Sequence, residues 1–200
     1  ISENYTLKGM VLDAADGDLT LTLAKGGNDH TVTIKAQESD PVTTLRLYSD
    51  AATYKNYSLL ISKDPESGAY SATSDLPTKM AGSLTDDVLI GGPGNDFIIG
   101  NDGNDVLDGG VGDGSDVLDG GAGDDVYIAS DGDDRIITGG GADTLEVADG
   151  YSLTGAILNA SDGSLTFTLI DSETDEHTVV VDGHATEPLS ILRVDGTDYS

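Results

Sequence analysis

The sequence predicts an all-β protein: a right-handed parallel β-roll flanked by two related small antiparallel β-units. Three observations lead there. A nine-residue pattern rich in glycine and aspartate recurs through the middle of the 200 residues. A second, longer pattern occurs once before it and once after it. In both patterns the apolar residues fall at strand spacing rather than helix spacing.

Residues 1–81 read as the first flanking unit. LKGMVLDAADGDLTLTL (7–23) leads into alternating segments at Leu19–Leu23, His30–Ile34 and Thr44–Leu47. The turn signals Asp16-Gly17 and Gly26-Gly27 separate them, as in antiparallel hairpins. Another strand is expected at Tyr57–Ser62, followed by a loop at Asp64–Gly68.

Residues 82–147 are built on Gly-Gly-x-Gly-x-Asp-x-apolar-x. The copies are GGPGNDFII (91–99), GNDGNDVLD (100–108), GGVGDGSDVLD (109–119) and GGAGDDVYI (120–128). The first six residues of each form a turn in which glycine admits positive φ and lets carbonyls converge. The last three form a short strand whose middle side chain points inward. Those side chains are Ile98, Leu107, Leu118 and Tyr127. If two nonapeptides complete one turn of a flattened coil, alternate loops stack. Asp96 then lies over Asp116, and Asp105 over Asp125.

The pattern weakens toward both ends, as terminal repeats that cap a stack should. GSLTDDVLI (82–90) keeps Asp87 and Leu89 but has Thr85 in a glycine slot, which makes it a half-site. ASDGDDRII (129–137) keeps Gly132, Asp134 and Ile136, and TGGGADTLE (138–146) keeps Asp143 and Leu145. One defect is internal. Asp105 and Asp116 are eleven residues apart instead of nine, so an extra pair lies within Gly109–Gly114. Read as VGDGSDVLD (111–119), the repeat is regular and Gly109-Gly110 is the insertion; Asp113 becomes a further candidate ligand.

Stacked aspartates repel unless a cation lies between them. A cage of carboxylate and carbonyl oxygen, without sulfur or imidazole, suits Ca²⁺. An acidic disordered linker would not need a strict period with an apolar residue in each strand slot. An EF-hand is excluded by the lack of an Asp-x-Asp-x-Asp-Gly loop ending in glutamate.

Over residues 82–147 the chain resembles the RTX (repeats-in-toxin, haemolysin-type calcium-binding) family. The resemblance implies calcium ligands at backbone carbonyls around loop positions two to four and at the sixth-position aspartate. These are Gly92, Gly94 and Asp96; Asn101, Gly103 and Asp105; Gly112, Gly114 and Asp116; Gly121, Gly123 and Asp125; and Ser130, Gly132 and Asp134. Asp87 and Asp143 are the sixth-position aspartates of the outer repeats. Pairing aspartates two repeats apart gives roughly three to five ions. The resemblance further implies export by bacterial type I secretion, with folding in external calcium.

Residues 148–200 form the second flanking unit. LTGAILNASDGSLTFTL (153–169) aligns without a gap to residues 7–23. HTVVV (177–181) then matches HTVTI (30–34), and EPLSILRV (187–194) matches DPVTTLRL (40–47). Two such units would cap the roll and hide sheet edges. The alternative is that they bind a cell-surface polysaccharide, as accessory modules do in RTX epimerases and adhesins. The duplication points to a larger polypeptide that alternates these units with RTX blocks, and DGTDYS (195–200) reads as the lead-in to another block.

Composition narrows the function. Nine Lys and Arg against 37 Asp and Glu give a net charge of −28, which excludes a general nucleic-acid or anionic-membrane surface. There is no cysteine, so thiolate chemistry and disulfides are absent. No stretch is long and apolar enough to be inserted in a membrane as a helix. There is no His-Glu-x-x-His, Gly-x-Ser-x-Gly or phosphate-loop motif. His30 and His177 occupy equivalent positions, as do Arg46 and Arg193, so structural roles account for them; His184 is the third histidine. The chain reads as a non-catalytic, secreted or cell-surface calcium module.

Overall fold

A computed structural model describes residues 6–13, 18–25, 28–34, 44–48, 54–58, 61–63, 67–72, 77–182 and 188–200. Every regular element among them is a strand. The first unit contributes β1 (Thr6–Asp13), β2 (Asp18–Lys25), β3 (Asn28–Ile34), β4 (Thr44–Tyr48) and β5 (Tyr54–Ser58). Then come β6 (Ile61–Lys63), β7 (Tyr70–Ala72), β8 (Thr78–Ala81), β9 (Val88–Ile90) and β10 (Phe97–Asp102). The roll continues through β11 (Val106–Asp108), β12 (Val117–Ala122), β13 (Val126–Ala129), β14 (Asp133–Ile137) and β15 (Thr144–Val147). The second unit supplies β16 (Ser152–Leu158), β17 (Leu165–Ile170), β18 (Glu176–Asp182), β19 (Ile191–Val194) and β20 (Thr197–Tyr199).

Successive roll strands alternate between two sheets. In one sheet β8, β10, β12 and β14 are neighbours; in the other β7, β9, β11, β13 and β15 are. All these pairings are parallel, and each places like repeat positions side by side: Ile98 with Leu118, Leu107 with Tyr127, Leu118 with Ile136. This is the coil of two nonapeptides per turn that the repeat implies. Its core is a row of inward side chains, one from each repeat, joined near the end by Ala129 and Val147. Leu89, Ile98, Leu107, Leu118, Tyr127, Ile136 and Leu145 are each at most 1% exposed. Complete burial of such a side chain contributes about 1.5–3 kcal/mol. With strands this short, the row of inward residues is the main hydrophobic term of each repeat.

Tyr127 fills a slot that other repeats give to Leu or Ile. Its hydroxyl donates to the carbonyls of Ile137 (3.0 Å) and Thr138 (3.1 Å), which satisfies a polar tip in an apolar row.

The flanking units extend the first sheet. β1, β2 and β3 form an antiparallel meander, and β1 pairs in parallel with β8. β16, β17 and β18 repeat that meander, and here β18 pairs in parallel with β14. Even the irregularity is duplicated: the β1–β2 register shifts between Leu7 and Gly9, and the β16–β17 register between Leu153 and Gly155. β19 adds in parallel to β15 and carries β20 antiparallel, whereas β4 and β5 pair as a separate two-stranded sheet. The single strand expected at Tyr57–Ser62 is divided. β5 ends at Ser58, and β6 begins at Ile61 and pairs with β7 in the second sheet. The turns Asp16-Gly17 and Gly26-Gly27, most of the Asp64–Gly68 loop and His184 lie outside the described residues.

The insertion is located by register. The Gly91 N–H donates to the Asp108 carbonyl, so Gly109 still lies over Gly91 as nine-residue counting requires. Ser115, however, lies over Asn95, its N–H donating to the Asn95 Oδ1 (3.3 Å). The two extra residues therefore enter between Gly110 and Gly114, one step later than the Gly109-Gly110 reading. The bulge expels Val111, which is 72% exposed, and leaves the strands on either side in register.

Tyr127→Phe removes the donor from two buried carbonyls. We expect a loss of about 1–3 kcal/mol in denaturant unfolding with calcium present. Unchanged stability would mean that the Ile137 and Thr138 carbonyls find another donor.

Candidate metal centre

The aspartate closing each loop sits immediately before, or at the start of, a short strand whose middle side chain is anchored in the core. That anchor drags a carboxylate inside. Asp96, Asp105, Asp116, Asp125, Asp134 and Asp143 are all 3% exposed or less, and Asp87 is half-buried. Alternate loops stack, so the aspartates form two columns. Asp96, Asp116 and Asp134 line one edge; Asp87, Asp105, Asp125 and Asp143 line the other.

Within each column the Oδ1 of one aspartate accepts the backbone N–H of the aspartate one turn earlier. Asp105 holds the N–H of Asp87 (2.8 Å), Asp125 that of Asp105 (2.9 Å) and Asp143 that of Asp125 (3.0 Å). On the other edge Asp116 holds Asp96 (2.7 Å) and Asp134 holds Asp116 (3.0 Å). Asp96 itself accepts from Thr78 (2.7 Å), which ties the roll to β8.

The second oxygen distinguishes outer from inner sites. The Asp87 Oδ2 accepts from the Ser83 N–H (2.6 Å) and Oγ (2.8 Å), so the half-site satisfies its own carboxylate. The Asp96 Oδ2 accepts from the Gly92 N–H (2.6 Å). Mid-stack, the Oδ2 atoms of Asp105 and Asp125 are buried with no hydrogen-bond partner. An anionic oxygen left so costs several kcal/mol unless something cationic compensates it.

The surroundings of those oxygens are oxygen-rich. A Cβ built on Gly100 would collide with both the Asp105 Oδ2 and the Gly120 carbonyl oxygen. At Gly91 the corresponding pair is the Asp96 Oδ2 and the Gly109 carbonyl. The carboxylates of Asp87, Asp96 and Asp105 thus converge with the first-position carbonyl of the loop one turn on, whereas the Asp125 Oδ2 lies beside the Tyr127 hydroxyl. The second- and fourth-position carbonyls point along the stack. Those of Asn101 and Gly103 face Gly121 and Gly123, and those of Gly121 and Gly123 face Gly139 and Gly141. Gly123, at φ +137°, has the Gly103 oxygen where a Cβ would go, so no other residue fits there. On the other edge Gly94 faces Gly114, and Gly114 faces Gly132. The donor set is hard oxygen only, and it fits Ca²⁺.

Electrostatics agree. Burial pushes the Asp96 carboxyl up to about 6, Asp116 and Asp125 to about 7, and Asp134 to about 8. The backbone N–H bonds oppose that rise, and neighbouring carboxylates add to it. Asp105 is raised for the same reasons.

Two groups lie beyond the ligand positions that the resemblance implies. The first-position carbonyls of Gly100, Gly109 and Gly120 face the carboxylates of Asp87, Asp96 and Asp105, although the resemblance implies carbonyls around positions two to four. Asp108, at the ninth position, is raised by burial, accepts from the Gly110 N–H (2.9 Å) and acts on Asp116 and Asp134. The available signal was that positions 108 and 119 hold aspartate where 99, 128 and 137 hold isoleucine. Asp113, by contrast, is exposed.

His177 is 6% exposed and joins the roll to the second unit. Its Nδ1 accepts from the Gly132 N–H (3.1 Å), so in the neutral ring the proton sits on Nε2. Nε2 faces Asp131 and Asp171, each 3.9 Å away. These three side chains converge closely enough to hold a metal, but a ligating histidine normally donates its other N–H, and this one accepts. The arrangement is that of a structural histidine. Arg193 is likewise structural, bonded to Glu146 (2.8 Å) and Asp198 (2.7 Å).

Residues 82–114 and 111–145 match the RTX calcium-binding nonapeptide repeat, described as four copies. No curated protein matches the chain.

Asp125→Asn keeps an oxygen for the Asp105 N–H but removes a buried charge. In chelator the variant should be more stable than wild type, and its calcium midpoint should move to higher concentration. Shifts of the same sign in both conditions would dissociate Asp125 from calcium.

The raised carboxyls also set a pH dependence for the metal-free roll. Their folded values lie above the unfolded value of 3.8, so their contribution is complete below about pH 4. It is lost as pH rises through 6 to 8. In chelator, β-structure followed by circular dichroism should be greater at pH 5 than at pH 8. Calcium binding should run the other way, weakening as protons compete. A chelated roll that gains structure with rising pH would contradict the burial of these groups.

Proposed function

We propose that this chain, whose residues 82–145 are RTX calcium-binding nonapeptide repeats, is a calcium-operated folding module of a secreted bacterial protein. The observation that carries this reading is the pair of partnerless buried oxygens on Asp105 and Asp125. They stand mid-column, the Asp105 oxygen beside the Gly120 carbonyl and the Asp125 oxygen beside the Tyr127 hydroxyl, where the stacked structure is least stable without a cation.

Calcium, when bound, supplies the positive charge that lets the columns close. The chain does the rest. Asp105 and Asp125, with the carbonyls of Gly100, Gly103, Gly120 and Gly123, would hold ions on one edge. Asp96, Asp116 and Asp134, with the carbonyls of Gly92, Gly94, Gly109, Gly114 and Gly132, would hold them on the other, with Asp108 beside them. Asn101, Gly121 and Ser130 complete the ligand set that the repeat implies, with Gly110 taking the second position expected for Gly112 because the insertion follows it. Three loops on one edge enclose two gaps and four loops on the other enclose three. Allowing for the Ser83-satisfied half-site, roughly three to five ions are expected.

Binding to the folded roll and not to the unfolded chain turns binding free energy into folding free energy. A net charge of −28 keeps the chain open where calcium is scarce, a state suited to export, and millimolar calcium outside the cell closes it. The role is structural rather than catalytic: the buried carboxylates are committed to backbone N–H groups at regular spacing, not to a pocket.

Calorimetry and circular dichroism test this together. The chain should bind several calcium ions, gain β-structure on doing so and lose it in EDTA. Identical spectra in EDTA and in millimolar calcium would defeat the proposal.

A further inference from the structure

The two meanders have the same sequence pattern but attach to the roll by opposite edges. The first uses its leading strand: β1 pairs in parallel with β8, the strand that leads into the roll, with Met10, Val11, Leu12 and Asp13 opposite Thr78, Lys79, Met80 and Ala81. The second uses its trailing strand: β18 pairs in parallel with β14, the last roll strand of that sheet. Among the described strands, the edge of each meander that its twin uses therefore has no strand paired to it. β3, the counterpart of β18, ends the ten-stranded sheet at one side, and β16, the counterpart of β1, ends it at the other.

Burial follows that asymmetry. Val179 on β18 is 0% exposed; its counterpart Val32 on β3 is 41% exposed. His177 is buried against the Gly132 loop, whereas its counterpart His30 is exposed. On β16, Ile157 is 68% and Leu158 59% exposed. They are the counterparts of Val11 and Leu12, the residues opposite Lys79 and Met80 of β8. Beyond the bulge between Leu153 and Gly155, this edge strand carries two large apolar side chains in water and is an open template for strand addition.

We propose that the meander is a two-sided connector, and that the free edge of β16 docks the leading strand of another nonapeptide roll in the parallel register β1 uses for β8. Ala156, Ile157, Leu158 and Asn159 would then lie opposite a strand equivalent to Thr78–Ala81. The sequence follows the same order, since EPLSILRV (187–194) corresponds to the DPVTTLRL (40–47) that precedes the roll of this chain. The partner is thus a second roll of this type, and rolls joined through meanders would form one continuous two-sheet rod.

The proposal rests on the calcium reading for the folding of the second roll. The experiment is a tandem protein in which residues 59–200 are repeated after Ser200, compared with the single chain in millimolar calcium. Amide hydrogen exchange at Ala156 and Leu158 of the first copy, whose N–H groups alternate with the inward-bonded Asn159 N–H, should slow by tenfold or more in the tandem. Ile157→Lys with Leu158→Lys in the first copy should abolish that protection. The same pair in the single chain should leave calcium uptake unchanged, because β17 and β18 separate β16 from the roll. A single chain that binds no calcium defeats the calcium reading. Doubled calcium uptake with unprotected β16 amides overturns the docking proposal. So does a second roll that fails to fold in the tandem while the first folds.

Discussion

The carboxylate that closes each loop faces two ways. One oxygen takes the backbone N–H of the loop one turn earlier; the other looks into the loop's own oxygen-lined hollow. The first contact fixes the spacing and register of the turns and can form whether or not metal is present. The second puts anionic oxygens in a column, where burial and mutual repulsion raise their proton affinity and ask for a cation. The roll is therefore held by the same atoms that destabilise it when no positive charge is near. Its hydrophobic term cannot override that conflict, because each short strand offers few inward apolar side chains, in most repeats one.

The glycines follow from this constraint. Loops can stack at the spacing of parallel strands only if the carbonyls of one loop can approach the backbone of the next. At Gly123 and Gly100 the space for a Cβ is already taken by oxygen of a neighbouring loop or of the loop's own aspartate. The same constraint explains how the insertion is tolerated. The extra residues leave the stack as an outward bulge at Val111, and Asp116 returns to its place over Asp96, so both the column and the core row pass through intact.

The flanking meanders solve the problem of ends. A stack of parallel strands finishes in two unpaired edges, and here each is covered by a strand of the same sheet, β1 on one side and β18 on the other. Tyr151, whose ring meets His177 edge-on, and the His177 contact with Gly132 bind the last loop of one column to the second meander. One sequence pattern thus serves as the start of a stack in one copy and its end in the other, which is possible because a three-stranded meander has two usable edges.

The period of the repeat determined the roll, its inward residues and the two aspartate columns, because a strict nine-residue spacing with one apolar slot leaves few ways to bury that slot. The duplication was equally legible, and the turn signals gave the antiparallel order of each meander. Three things were decided only in three dimensions. The insertion's place depended on which loop residues lie over Gly91 and Asn95, a matter of register that counting cannot resolve. The parts played by Asp108 and by the Gly100, Gly109 and Gly120 carbonyls depended on where backbone and ninth-position groups point once the loops stack. And the choice of edge by each meander depended on which strand meets the roll, since two copies of one pattern carry no instruction about which side will be covered; only the position of the roll in the chain, after one copy and before the other, makes the difference.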